Sequence, residues 1–144
     1  MLNTNSQNFA NNSWENAFYQ ITHNGVFIPS STLIRRWFRD ICYIGPRNKT
    51  NIYLADVYGL IVMLGFRDEL NNQLDKHNSF HSRTEDLAYM LTLSPKLVRK
   101  TEDKLIELGL IEIKRLRGKK NIYRINAEEL NKMFEELGYY YPID

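Results

Sequence analysis

The pattern of apolar and polar positions predicts a helix between Pro95 and about Leu108. Its apolar side is formed by Leu97, Val98, Thr101, Leu105 and Leu108. Ser94 directly precedes Pro95, an arrangement typical of a helix start, because the N–H that proline lacks would be unpaired at the first helical position anyway. Gly109 then favours the left-handed conformation in which many helices end.

A shorter helix is predicted just before this one. Ser82 and Glu85 form the S-x-x-E pattern of a capping box, in which the serine hydroxyl and the glutamate carboxylate pair with backbone N–H groups at a helix start. Apolar residues between Leu87 and Leu91 form a short face, and only two residues separate that face from Ser94. The stretch therefore predicts two helices joined by a tight turn.

The period changes from helical to alternating after the second helix, which is typical of strands. Ile111 and Ile113 share one face of a first strand, and Tyr123 and Ile125 offer a matching face on a second strand. Residues 116–121, which connect them, contain a glycine and three positive charges. This stretch therefore predicts a β-hairpin with a basic tip.

The N-terminal part of the chain has weaker patterns. Residues 1–12 are rich in asparagine and almost without apolar content, which predicts a disordered tail. The Asn-Gly pair at residues 24–25 lies between apolar runs and predicts a hairpin, because both turn positions need positive φ. A helix is predicted to begin at Ser30 or Ser31 and to end before Gly45, followed by a polar loop.

The most apolar helix is predicted from Val57 to about Leu70, with Asp56 as its N-cap. Gly59 and Gly65 lower its intrinsic helix propensity, and such glycines indicate close packing against a neighbour. Residues 79–81 are predicted to form a short strand before the next helix.

One more helix is predicted after the hairpin. Asn126 and Glu129 have the spacing of a capping box, an apolar stripe follows, and Gly138 ends the helix. The exposed face of this helix is acidic. The apolar stripe would pack either on the domain or on the same helix of a second copy, so a homodimer is one alternative.

Two helices joined by a turn and followed by a basic hairpin resemble the winged helix-turn-helix superfamily of DNA-binding domains. Three stretches carry the resemblance: Ser94–Lys100 matches the start of the recognition helix, Leu105–Ile111 its exit, and Arg117–Lys120 the tip of the wing. The resemblance implies an α+β fold that is mainly helical, with a C-terminal β-hairpin wing and an N-terminal extension of a hairpin and a helix.

The implied organisation has four parts. They are a tail at residues 1–12, the extension at 13–55, the winged domain at 56–126 and a C-terminal helix and tail at 127–144. The extension has two interpretations: a second, degenerate winged-helix unit in tandem with the first, or a segment that packs on the domain or dimerises. Basic side chains raise the first interpretation, namely Arg35, Arg36, Arg39, Arg47 and Lys49. Short sequence echoes between the two parts occur at inconsistent offsets, which argues against a simple duplication and favours the second interpretation.

Positive charge is concentrated in the stretch that carries the resemblance. Between Ser94 and Arg124 there are ten basic and four acidic residues, a net charge of +6, whereas the whole chain of 144 residues has a net charge of only +2. The remaining residues therefore sum to −4. A basic patch on a nearly neutral protein indicates one face that binds nucleic acid.

The candidate DNA-binding residues lie at the helix starts, along the second helix or on the hairpin. They are Arg83, Thr84, Ser94, Lys96, Arg99, Lys100, Lys104, Arg115, Arg117, Lys119 and Lys120. Residues at the helix starts are suited to phosphate contacts. The first two turns of the second helix would enter the major groove, and the hairpin tip would reach the adjacent backbone or minor groove.

The resemblance implies a sequence-specific protein that binds double-stranded DNA. The arrangement is similar to small winged-helix proteins of Gram-positive plasmids and phages, which include regulators of conjugative transfer regions and replication-initiator domains. We therefore expect a transcriptional repressor or accessory regulator of a plasmid, phage or other mobile element, acting by occlusion. The alternative is a replication-initiation or primosome adaptor that acts through protein contacts.

The sequence contains no pattern typical of an enzyme, such as a phosphate-binding glycine loop or a nucleophile elbow. His77 and His81 are four residues apart but have no third ligand at metal-binding spacing. We expect no cofactor, metal or small-molecule effector. The single cysteine, Cys42, cannot form an internal disulfide, and no secretory signal or membrane-spanning run is present, which together predict a cytoplasmic protein.

Overall fold

The computed structural model describes residues 14–17, 31–45, 48–70 and 79–138. Over these residues the chain combines helices with a three-stranded antiparallel sheet, so the predicted α+β class is confirmed. The predicted tail at residues 1–12 and the predicted hairpin around residues 24–25 lie outside the described residues.

The elements follow one another in the order that the apolar pattern predicts. After helical residues 14–17 they are α1 (Ser31–Asp40), α2 (Lys49–Leu70), β1 (Ser79–Ser82), α3 (Thr84–Leu91), α4 (Pro95–Glu107), β2 (Ile111–Lys114), β3 (Asn121–Ile125) and α5 (Ala127–Glu136). None of the helices in the described part of the chain is long and apolar enough to cross a membrane.

The ends of α4 and the start of α5 are set by the local chemistry that the sequence predicts. The Oγ of Ser94 accepts a hydrogen bond of 3.2 Å from the N–H of Leu97, and Pro95 occupies the first turn. Gly109, just beyond the helix, has a φ of +76°. At α5, the Oδ1 of Asn126 accepts from the N–H of Glu129 at 3.3 Å.

The capping box predicted at Ser82 and Glu85 is wrong. Helix α3 begins at Thr84, and its N-cap is Arg83, whose side chain makes no capping hydrogen bond. Ser82 is instead the last residue of β1 and pairs with Asn121 of β3. Because this long-range pairing keeps Ser82 in the sheet and Arg83 after it is also extended, the helix starts one residue later than the local signal indicates.

The predicted start of the apolar helix at Asp56 is also wrong. Helix α2 begins at Lys49, after Asn48, whose Oδ1 accepts a hydrogen bond of 2.9 Å from the N–H of Asn51. Asp56 lies inside the helix and forms a 3.1 Å salt bridge with Arg35 of α1. Leu54 is buried and extends the apolar face upstream. The boundary drawn between residues 55 and 56 therefore falls within one continuous helix.

The sheet has the strand order β1-β3-β2, and its register matches the faces read from the sequence. Ile111 pairs with Ile125, and Ile113 pairs with Tyr123. Phe80 of β1, within the short strand predicted at residues 79–81, pairs with Tyr123 from the other side, and the two rings are stacked at 5.3 Å. The alternating pattern therefore predicts the strand pairing of the hairpin correctly.

Helix α2 forms the centre of the core, and its glycines lie where neighbours approach closely. A β-carbon added at Gly65 would lie 2.5 Å from the Cδ1 of Ile125 in β3, and one added at Gly59 would lie 3.3 Å from the Cδ1 of Ile34 in α1. The close packing predicted at both glycines is therefore confirmed. These contacts join α2 to α1 on one side and to the hairpin strands on the other.

Candidate nucleic-acid interface

An open cleft of about 800 Å³ lies between the first turns of α3, the first turns of α4 and the β2–β3 hairpin. We call it the basic cleft after the six basic residues that line it: Arg83, Lys96, Arg99, Arg115, Arg117 and Lys119. All six are among the candidates named from the sequence. The structure therefore brings together residues that are up to 36 positions apart in the chain, counted from Arg83 to Lys119.

Three exposed cations of the cleft come from two different elements. Lys96 lies in the first turn of α4, whereas Arg117 and Lys119 lie at the hairpin tip, and all three side chains are exposed. In the described part of the chain these three form no salt bridge, while Arg99 lies 3.9 Å from Asp103 across one turn of α4. The cleft thus presents free positive charge from a helix and from a hairpin to the same space.

Four candidate residues do not line the cleft. Lys100 and Lys120 are exposed outside it. Lys104 lies further along α4, where its Nζ is 3.7 Å from a carboxylate oxygen of Glu107. The hydroxyl oxygen of Ser94 is occupied in capping α4, as described above. The three lysines therefore lie outside the cleft, and Ser94 stabilises the helix that lines it.

Two further candidates, Thr84 and Arg115, are bound to carboxylates. Thr84 is 7% exposed, and its hydroxyl donates a hydrogen bond of 2.8 Å to the Oε1 of Glu102. The Nη2 of Arg115, whose side chain is 24% exposed, lies 3.1 Å from both Glu102 Oε1 and Asp103 Oδ1. In this arrangement the Thr84 proton and the Arg115 charge are engaged within the protein rather than directed at a ligand.

A buried carboxylate therefore lies directly beneath the basic cleft. Glu102 is 0% exposed, and besides Thr84 and Arg115 it accepts a hydrogen bond at Oε2 from the hydroxyl of Tyr123. We call Glu102, Thr84, Arg115 and Tyr123 the Glu102 cluster. It joins the start of α3, the middle of α4, the residue that follows β2, and β3.

The Glu102 cluster was not predicted from the sequence, although the spacing of residues on one face of α4 indicates a buried carboxylate. Val98, Thr101, Glu102 and Leu105 have the spacing i, i+3, i+4, i+7 of a buried helix face, so Glu102 occupies an apolar position. A carboxylate at such a position requires partners, because a buried and unpaired charge is strongly unfavourable. The identity of those partners depends on the tertiary fold and cannot be read from neighbouring residues.

Burial is the largest influence on the pKa values of Glu102 and Tyr123 in the Glu102 cluster. Burial raises the pKa of Glu102, while the hydrogen bonds from Tyr123 and Thr84 and the charges of Arg115 and Arg99 act in the opposite direction. Burial, followed by the negative charge of Glu102, also raises the pKa of the Tyr123 hydroxyl well above its usual range. Tyr123 is therefore a hydrogen-bond donor throughout the physiological pH range.

The raised pKa of Glu102 leads to a pH-dependent stability. The folded protein binds the proton of the Glu102 carboxyl group more tightly than the unfolded chain does, so protonation stabilises the fold. This stabilisation is complete below the ordinary carboxyl pKa of 4.5, and it is lost as pH rises through the pKa of Glu102 in the folded state. We expect the wild type to lose stability relative to Glu102→Gln as pH rises from about 4 to neutrality. Urea denaturation of both proteins across this range measures the difference, and a difference independent of pH would contradict the expectation.

Acidic side chains also reach the cleft itself. Glu85 and Asp86 line it from the first turn of α3, where carboxylates interact favourably with the positive end of the helix dipole. They offset the charge of Arg83 on the α3 side, so the net positive charge of the cleft comes from α4 and the hairpin.

Two arginines of the N-terminal extension are paired with carboxylates, and Arg47 lies outside the described residues. Arg35 is paired with Asp56 at 3.1 Å, and Arg39 with Asp40 at 2.8 Å, whereas Arg36 is exposed. These salt bridges reduce the positive charge that α1 presents. The basic cleft is therefore the stronger candidate for binding an anion.

Comparison with known proteins returns no match. No family model, no curated protein and no solved structure is significantly similar to this chain. The geometry and charge of the basic cleft are therefore the basis for a proposed function.

Proposed function

We propose that this chain is a winged helix-turn-helix protein that binds double-stranded DNA at the basic cleft. In this proposal α4 is the recognition helix, and the β2–β3 hairpin is the wing. The observation that carries the proposal is the convergence of exposed cations from the first turns of α4 and from the hairpin tip on one open surface. The order α3, α4, hairpin, with β1 paired to β3, supports the assignment of the superfamily.

The dimensions of α4 suit a groove of duplex DNA. Its 13 residues make it about 20 Å long, and the major groove is about 12 Å wide, enough to admit one helix. Lys96 and Arg99 lie in the N-terminal half of the helix, the half that enters the groove in helix-turn-helix proteins. The hairpin tip would then lie over the neighbouring phosphates.

The lining of the cleft favours a duplex over a single strand. Proteins that bind single strands stack successive bases on aromatic side chains, and each stacked base contributes about 1–3 kcal/mol. None of the residues that line the cleft, all of them in the described part of the chain, is aromatic. An array of cations without a stacking surface is suited to the phosphates of a base-paired helix.

We further propose that the protein regulates a plasmid, phage or other mobile element from the cytoplasm of its host. Repression by occlusion needs no effector, because a protein bound at the promoter blocks access to it. A role as a repressor or accessory regulator therefore requires only specific binding to the DNA next to its own gene.

The proposal is tested by fluorescence anisotropy with the upstream DNA of the gene, as a duplex and as one isolated strand. We expect the duplex to bind more tightly and its affinity to fall with salt, with a log–log slope near −4 if about four phosphates are contacted. A scrambled duplex is the control for sequence specificity. Absence of duplex binding at low salt would overturn the proposal, as would equal or tighter binding of the single strand.

A further inference from the structure

Glu102 is an acidic residue in a place where an acidic residue is unfavourable. It lies on the helix that carries Lys96 and Arg99, beneath a surface proposed to face phosphates, and it is fully buried. Removing a carboxylate from water is unfavourable, and replacing a buried ion pair by apolar side chains often stabilises a protein. Packing alone therefore does not explain this residue, and its contacts indicate another role.

The contacts of Glu102 reach both strands of the hairpin. Arg115 directly follows β2, and Tyr123 lies in the middle of β3, so the carboxylate is bonded to the hairpin on each side of its tip. The tip itself, residues 117–120, is exposed. The sheet already holds the hairpin strands, so these two contacts, one on each side of the tip, restrain the direction of the tip beyond the sheet.

The same carboxylate also accepts a hydrogen bond from Thr84 at the start of α3. Glu102 thus bonds directly to every other element that contributes residues to the basic cleft. Arg115 is held by a second carboxylate, Asp103, on the adjacent position of α4. The placement of the hairpin tip relative to α4 is therefore restrained by one side chain and its immediate partners, in addition to the pairing of the hairpin strands within the sheet.

We propose that Glu102 is a positioning residue for DNA binding, which holds the hairpin at a fixed angle to α4 and so sets the distance between the cations of the helix and those of the hairpin tip. This inference rests on the proposed function. Glu102 touches no DNA in this view. Its effect is exerted through the hairpin, so it should alter the contribution of Lys119 without altering that of Lys96.

A double-mutant cycle measures this coupling. Lys119→Gln and Lys96→Gln are each combined with Glu102→Gln, which preserves the shape of the side chain, and affinities for the upstream duplex are measured at about 0.1 M salt. We expect Lys119→Gln to weaken binding about 8-fold in the wild type, the value for one lost phosphate contact, and less than about 2-fold in the Glu102→Gln background. Lys96→Gln should weaken binding by a similar factor in both backgrounds.

Equal effects of Lys119→Gln in the two backgrounds would overturn the proposal. Loss of the Lys96 effect as well would also overturn it, because that outcome would indicate general disruption of the interface rather than displacement of the hairpin. If Glu102→Gln does not fold, Tyr123→Phe replaces it, since this change removes only the hydroxyl and keeps the ring stacked on Phe80.

A measurement without DNA separates this proposal from the proposed function. Backbone ¹⁵N relaxation of Gly118, Lys119 and Lys120 reports the order of the hairpin tip, and we expect Glu102→Gln to increase its fast motion. Glu107→Gln is the matched control, because Glu107 is exposed on the same helix. If the wild type does not bind DNA, the proposed function fails. If the hairpin tip is as ordered in Glu102→Gln as in the wild type, the positioning role of Glu102 fails.

Discussion

Replacing Lys96 and Lys119 together by glutamine is expected to weaken binding of the upstream duplex roughly 60-fold at about 0.1 M salt. The two side chains are exposed at opposite walls of the basic cleft, and neither has a salt-bridge partner among the described residues. If each side chain neutralises one phosphate, removing both reduces the steepness of the plot of log affinity against log salt concentration by about 1.8. At about 0.1 M salt, a slope change of this size corresponds to the expected loss of roughly 60-fold in affinity. Anisotropy titrations over a salt series give both quantities.

A variant with the same change in net charge is the control for this experiment. Arg36→Gln combined with Lys132→Gln removes two positive charges from exposed positions on α1 and α5, away from the cleft. This control should change the affinity less than about 3-fold, because charges beyond a Debye length of about 10 Å are largely screened. A similar loss in both double variants would mean that net charge, rather than the basic cleft, determines binding.

Replacing Phe80 by alanine is expected to lower the free energy of unfolding by about 3–5 kcal/mol. Phe80 is 1% exposed, and its ring stacks on that of Tyr123 at an interplanar angle of 12°. The backbone around it has little freedom to fill the resulting cavity, because β1 is paired with β3 along its whole length. Urea denaturation monitored by circular dichroism measures the loss.

An exposed aromatic residue provides the control for Phe80. Tyr89 on α3 is 87% exposed, so Tyr89→Ala should change the free energy of unfolding by no more than about 0.5 kcal/mol. A loss of less than about 1 kcal/mol for Phe80→Ala would indicate that neighbouring side chains move into the space. Since Tyr123 also donates to Glu102, Phe80→Ala is expected to loosen the hairpin as well as the core.

Local signals in the sequence predicted the parts of the fold that depend on local chemistry. The caps of α4 and α5 were found because Ser94 and Asn126 bond to backbone groups only three residues away. The hairpin was found because alternation assigns Ile111 and Ile125 to the same face, and the observed register pairs them. In these cases the partner lies within the stretch that carries the signal.

Sequence patterns fail where the conformation or contacts of a residue depend on a partner that is distant in the chain. Ser82 has the sequence of a helix cap, but its pairing with Asn121 holds it in the sheet. Thr84 and Arg115, which the sequence suggests as phosphate ligands, do line the cleft, but no local signal predicts that a carboxylate on another element engages both. For the site, the cations named from the sequence include all six that line the cleft, but also Lys100, Lys104 and Lys120, which do not line it. The buried acid beneath the cleft was not predicted, because no local pattern identifies the partners of Glu102.

The continuity of α2 has a consequence for how the chain can be divided. This helix of 22 residues packs on α1 through Gly59 and on β3 through Gly65, so one rigid rod of about 33 Å belongs to both halves of the molecule. A fragment that starts at residue 56 would lose the first two turns of the rod, including the buried Leu54. Loss of order in α1 would therefore be transmitted to the hairpin strands, and the described elements should melt in a single cooperative transition rather than as separable modules.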